Sequence, residues 1–152
     1  LLPSGQLDRE AVRDAVTDVA RYDVADLSES FLKGDAVRFC RVLDGLQAEG
    51  EALVFVLAVF AGEVRTLYRL AAGVERGERL PALMQAARVW DSRQGLVERA
   101  LRRADAGRWA WAMRALARLD RAAKGLLRED AWDELKQLGL ALMNQGKAPA
   151  LM

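Results

Sequence analysis

Three sets of side chains have types and spacings that could carry chemistry. Glu10, Asp14 and Asp18 recur every four residues. Paired carboxylates can do acid–base work, but at this spacing they read first as the solvated face of one helix. Cys40 is the single thiol. With no histidine in the chain and no basic cluster beside it to stabilise a thiolate, it reads as part of an apolar face rather than as a nucleophile. The third set is Arg114, Arg118, Arg121, Lys124 and Arg128, five cations at helical spacing with no acid among them. An ordinary solvated face mixes charge signs. This stripe therefore reads either as a surface that tracks phosphates or docks a partner, or as a soluble outer face. Arg99, Arg102 and Arg103 add a smaller basic patch just upstream.

These side chains need elements to hold them, and composition says which kind. The 27 Ala and 24 Leu make up a third of the 152 residues, whereas Val and Thr together number 15 and Ile is absent. Helix formers dominate and sheet formers are scarce, so the fold class expected is all-α. Apolar periodicity marks eight helices. The first spans about Arg9–Ala20, capped by Asp8, and the second about Val24–Lys33, stopped by Gly34. The third spans Ala36–Glu49, capped by Asp35, with Val37, Cys40, Val42, Leu43 and Leu46 on one face. The fourth, about Ala52–Ala72, is apolar nearly all round at its start and should lie at the centre of the domain. A short helix follows Pro81 to about Arg88. The sixth, to about Ala104, has Asp91 or Ser92 available as cap. The seventh runs about Arg108–Leu127, and the eighth begins near Asp130 and ends near Gly146. On the seventh, Trp109, Ala112, Met113, Leu116, Leu119, Ala123 and Leu127 gather opposite the basic stripe. Trp109 and Trp111 read as core or interface rings rather than stacking platforms. The tail 147–152 reads as frayed.

What is missing excludes several function classes. With no His, a histidine base, a Ser-His-Asp triad and histidine metal ligation cannot occur within the chain. One Cys allows neither an internal disulfide nor a thiolate zinc cluster. There is no Gly-rich phosphate loop: Gly73 and Gly77 lie in a turn with no lysine-serine pair after them. The expectation is no catalytic residue, no cofactor and no metal site. The longest uninterrupted apolar run, 52–62, falls short of the ~18 residues a membrane span needs. No signal peptide is visible, and the start without Met reads as a fragment, so a reducing cytoplasmic setting is the default. Net charge is +1, but residues 88–128 alone carry 11 basic and 4 acidic side chains, so the middle third could face a polyanion or an acidic surface.

Three stretches carry a family resemblance. The first is Ala20-Arg21-Tyr22-Asp23-Val24-Ala25-Asp26-Leu27 with Phe31-Leu32-Lys33-Gly34-Asp35, then Val42-Leu43, Leu46 and Glu49-Gly50. The second is Arg88-Val89-Trp90, Arg93, Gly95 and Ala100-Leu101. The third is Lys124-Gly125 followed by Trp132-Asp133-Glu134-Leu135, Leu138 and Leu140. In order and spacing, over about residues 6–143, they resemble the C-terminal region of the delta subunit of the bacterial DNA polymerase III clamp loader. The resemblance implies that residues 1–21 are the tail of an AAA+-like lid domain. It implies that residues 22–146 are the collar domain, a bundle of about five to seven helices that packs with the collars of neighbouring subunits into a ring.

By the same resemblance, the family's delta subunit is not an ATPase, and the sliding clamp is contacted only by an N-terminal part lying outside these residues. Partners would be the other loader subunits, with weak, salt-sensitive contact to primer–template DNA and none to membrane. Some relatives carry an aromatic residue in the loop before the last helix. Here Leu127 stands at that place, leaving Lys124 and Arg128 for phosphate. The leading expectation is therefore a non-catalytic assembly domain. The alternative is a stand-alone helical DNA-binding module using the arginines of the sixth and seventh expected helices.

Overall fold

The computed structural model describes residues 22–125 and 128–144, and the side chains of all of these but 128–130. The expected helix Arg9–Ala20 with Glu10, Asp14 and Asp18, the tail 147–152, Leu127 and the side chain of Arg128 lie outside the described residues. Within them the chain forms seven helices: α1 (Val24–Lys33), α2 (Ala36–Ala48), α3 (Leu53–Glu75), α4 (Leu80–Ala86), α5 (Asp91–Leu101), α6 (Ala106–Ala123) and α7 (Arg128–Met143). No strand occurs among the described residues, as the Ala/Leu-rich, Ile-free composition leads one to expect.

Helix ends follow from capping chemistry. Asp23 and Asp26 form a reciprocal capping box at the start of α1, with side chain and backbone exchanging bonds of 2.9 and 3.0 Å. Gly34 ends α1 in the left-handed region at φ 76°, where a Cβ would be strained. Asp35 caps α2 by accepting from the Arg38 amide at 3.1 Å. Two expected caps are not used. α5 begins behind Trp90, with Asp91 in its first turn, and α7 begins at Arg128, which places Asp130 inside the helix.

α3 is the axis of the bundle, and it continues three residues past the expected end, to Glu75. Its Leu53, Val56, Leu57, Phe60, Val64, Leu67 and Leu70 are buried. α6 packs along it, α1, α4 and α5 pack on its other sides, and α7 closes the bundle against α6 and α2. At the centre the rings of Phe31, Phe39, Phe60 and Trp109 meet. Phe31 lies edge-on to Phe60 at 4.9 Å between centroids and edge-on to Trp109 at 6.2 Å. Edge-to-face contacts add to the area each ring removes from water. Trp109 Nε1 donates to the Ala104 carbonyl at 3.1 Å, so the one polar atom of the central indole is satisfied.

Polar ties between helices are few and specific. Glu63, its side chain 8% exposed, pairs with Arg93 at 2.6 Å and joins α3 to α5. Lys136 donates to Asp44 at 2.6 Å and joins α7 to α2. Arg108 donates to the Ala141 carbonyl, which ties α6 to α7.

α7 approaches α2 at Gly139, where a Cβ would lie 2.2 Å from Phe39 Cζ. Phe39 is fully buried against Phe31 and Phe60 and has no room to swing away. Gly139→Ala should therefore destabilise the domain by about 1–3 kcal/mol, although alanine is the better helix former. Urea unfolding would show this as a lower midpoint; an unchanged or raised midpoint would mean that the helices separate freely at this contact.

Candidate functional site

The basic face is built by α6. Asp105 caps the helix, accepting from the Arg108 amide at 2.9 Å, and Glu75 at the end of α3 accepts from the Ala106 amide at 2.9 Å. Two carboxylates thus satisfy the first free amides and favour the positive end of the helix dipole. Ala106, Trp109, Ala112, Leu116, Leu119 and Ala123 are buried. That orientation turns Arg114, Arg118 and Arg121 outward, and all three are exposed. None of the three forms an ion pair with a described residue.

The stripe is shorter than the sequence spacing implies. α6 stops at Ala123 and Lys124 is its C-cap, while Arg128 opens the next helix after a turn. The expected helix to Leu127 is therefore corrected. Gly125 donates to the Ala122 carbonyl in a turn, even though the apolar spacing runs on past it. Lys124 is exposed but pairs with Asp120 at 2.8 Å, so an acid does flank the row. What the structure brings together is three guanidiniums on one helix face, none ion-paired with a described residue, with Lys124 at its end.

Arg99 and Arg102 are exposed, whereas Arg103 beside them is only half-exposed. Arg103 is turned inward: its Nη2 donates to the carbonyls of Phe31 (2.8 Å) and Leu32 (3.2 Å), and its guanidinium lies 5.5 Å from the Phe31 ring centroid. Burial, and secondarily the neighbouring Arg99 charge, pushes its pKa below the usual arginine value. Arg99 donates to the Lys33 carbonyl at 3.4 Å. Two arginines of the α5 end therefore cap the negative end of α1.

Cys40 is half-buried rather than a full core thiol. Trp109 is in the core and Trp111 packs against it half-buried. Among the described residues no group of three or more Cys, Asp or Glu could hold a metal ion, and no helix is long and apolar enough to cross a membrane.

One surface residue stands out only in the structure. Val89 is buried but Trp90 is 63% exposed, in the extended link between α4 and α5. Alternation over two extended residues sends neighbouring side chains to opposite sides, which is the only trace of this in the sequence. Arg88, just before, sits at φ 60°. It occupies the left-handed position of a helix C-terminus, where the Val89 amide donates back to the Met84 carbonyl at 2.9 Å. Replacing Arg88 by Gly should raise stability by about 0.5–1 kcal/mol, checked by thermal or urea melting. A decrease would show that the Arg88 side chain itself holds the link.

Comparison with known proteins assigns the chain to a family. The family described as the processivity clamp loader gamma complex, DNA pol III C-terminal region, matches residues 25–149. DNA polymerase III subunit delta of Escherichia coli (strain K12) is 29% identical over 145 residues, which are 95% of this chain and 42% of that protein. The chain thus spans less than half the length of this relative. The family match takes in all seven helices from the first turn of α1 to the end of α7. The chain belongs to the family of C-terminal regions of the DNA polymerase III clamp-loader delta subunit.

Proposed function

We propose that residues 22–146 are a non-catalytic assembly domain, a collar that packs with the corresponding domains of neighbouring clamp-loader subunits and helps to hold the ring that places a sliding clamp on primed DNA. In this reading residues 1–21 are the tail of a lid domain. The family match over residues 25–149 is the observation that carries the proposal. The outward row Arg114, Arg118 and Arg121, without an ion pair to any described residue, supports it as a charged docking face. Trp90, 63% exposed beside a buried Val89, supports it as an aromatic anchor of the kind that dominates protein interfaces.

The test is size-exclusion chromatography with light scattering on this chain alone and mixed with the C-terminal regions of the motor subunits of the same loader. The expected result is a discrete mixed complex that survives moderate salt. If no complex forms, the assembly reading fails. The arginine row, without an ion pair to any described residue, also favours a second reading, a helical DNA-binding module. That reading requires submicromolar affinity for primed DNA at physiological salt, tighter than the ~10⁻⁴–10⁻⁶ M of nonspecific charge attraction.

A further inference from the structure

A second basic feature lies away from the row on α6. A cleft of about 440 Å³ opens between the end of α1 and the end of α5, lined by Lys33, Gly34, Arg99, Arg102, Arg103 and Met143. Among the described residues, four of the six that line it are cations and none is an acid. Lys33 is held loosely by Glu29 at 3.6 Å, and neither Arg99 nor Arg102 forms an ion pair with a described residue. Arg102 and Arg103 also wall a larger neighbouring cavity containing Glu75, Glu98 and Asp105. None of those carboxylates forms an ion pair with either arginine.

The end of α1 contributes roughly half a negative charge. Together with Glu29 it leaves the cleft well short of neutral. We propose that this cleft is a binding site for a phosphate group, held by Arg99, Arg102 and Lys33 around an Arg103 fixed in its wall.

Arg103 is already in place. Its bonds to the Phe31 and Leu32 carbonyls both use Nη2. Its Nε is buried and has no hydrogen-bond partner among the described residues, an exception among buried polar atoms. Gly34 makes room for this arrangement, because a Cβ there would lie 2.6 Å from Arg103 Nη1. Donors therefore converge from two helix ends, arginines from one and a lysine from the other. That disposition suits the three or four oxygens of a tetrahedral anion better than the two of a carboxylate. Burial and the Arg99 charge, which disfavour the protonated Arg103, would both be offset by an anion placed among them. The phosphate could come from a free ion or from a nucleic-acid backbone, and the chemistry of the cleft is the same for both.

The test titrates inorganic phosphate into the 152-residue chain by calorimetry, with ionic strength held constant against chloride. Saturable binding is expected. The double variant Arg99→Gln/Arg102→Gln, both exposed positions, should bind about tenfold more weakly, the ratio expected for losing charge-assisted hydrogen bonds. Arg102→Gln alone, which breaks no hydrogen bond or ion pair with a described residue, should move in the same direction. Arg118→Gln/Arg121→Gln should keep the original affinity.

A parallel titration uses a ten-nucleotide single strand without terminal phosphates. If the cleft variant weakens it and phosphate displaces it, the backbone is the source. If the strand is indifferent while phosphate binding falls, the source is a small anion. Both results support the site. The proposal is overturned if phosphate binds no better than chloride, if the cleft variant binds it unchanged, or if the α6 variant weakens it as much.

Discussion

Replacing Phe31 by Ala is expected to lower the stability of the domain by about 3–5 kcal/mol, the range for removing a fully buried aromatic ring. Phe31 is fully buried on α1 and meets the rings of Phe39, Phe60 and Trp109, which belong to α2, α3 and α6. No other side chain in this cluster touches the other three rings. Alanine would therefore leave a cavity walled by three helices that cannot all close on it. It would also remove the ring over which the Arg103 guanidinium lies. Urea unfolding followed by circular dichroism gives the value directly. Val37→Ala on α2, where the side chain is 69% exposed, is the matching control, with an expected change within about 0.5 kcal/mol. A decrease at Phe31 no larger than at Val37 would mean that the aromatic cluster does not organise the core.

Much of this architecture is legible in the sequence, for reasons that can be stated residue by residue. The near-continuous apolar run from Leu53 to Phe60 identifies the central helix, and its Leu53, Val56, Leu57 and Phe60 are buried, but Val54 and Phe55 on the other side stay exposed. Gly34 and Asp35 mark a stop and a start through backbone and capping chemistry that acts within four residues. Trp109 falls on the buried side by spacing alone.

The parts that are not legible depend on residues distant in sequence. Arg103 has the spacing of a surface arginine, and its inward turn is set by carbonyls 71 and 72 residues away. Glu63 looks like the polar end of an apolar run, yet it is buried against Arg93, 30 residues on. The end of α6 differs from its expected place for another reason. Apolar periodicity continues through Leu127, whereas the helix closes at Lys124 in front of Gly125. Periodicity reports which side of a helix is buried and says little about where the helix stops.

That shortened helix sharpens the prediction for the basic row. Arg118→Glu with Arg121→Glu should leave stability within about 0.5 kcal/mol, because both side chains are exposed, face away from α3 and pair with no described residue. If the row docks neighbouring loader subunits, as proposed, the double reversal should weaken that association at least tenfold, since each change replaces an attraction with a repulsion at the same place. If the row meets DNA instead, the slope of log affinity against log salt should fall by about 2, close to one unit for each phosphate no longer neutralised. Lys124→Gln should do less than either reversal, because Asp120 already occupies that ammonium at 2.8 Å. Chromatography with light scattering reads the first effect and a salt titration with primed DNA the second, both on protein shown to be folded. Unchanged association together with an unchanged salt slope would reduce the row to a solvated helix face. A large effect at Lys124 with none at Arg118 and Arg121 would place the docking point on the turn between α6 and α7, where the chain leaves the helix.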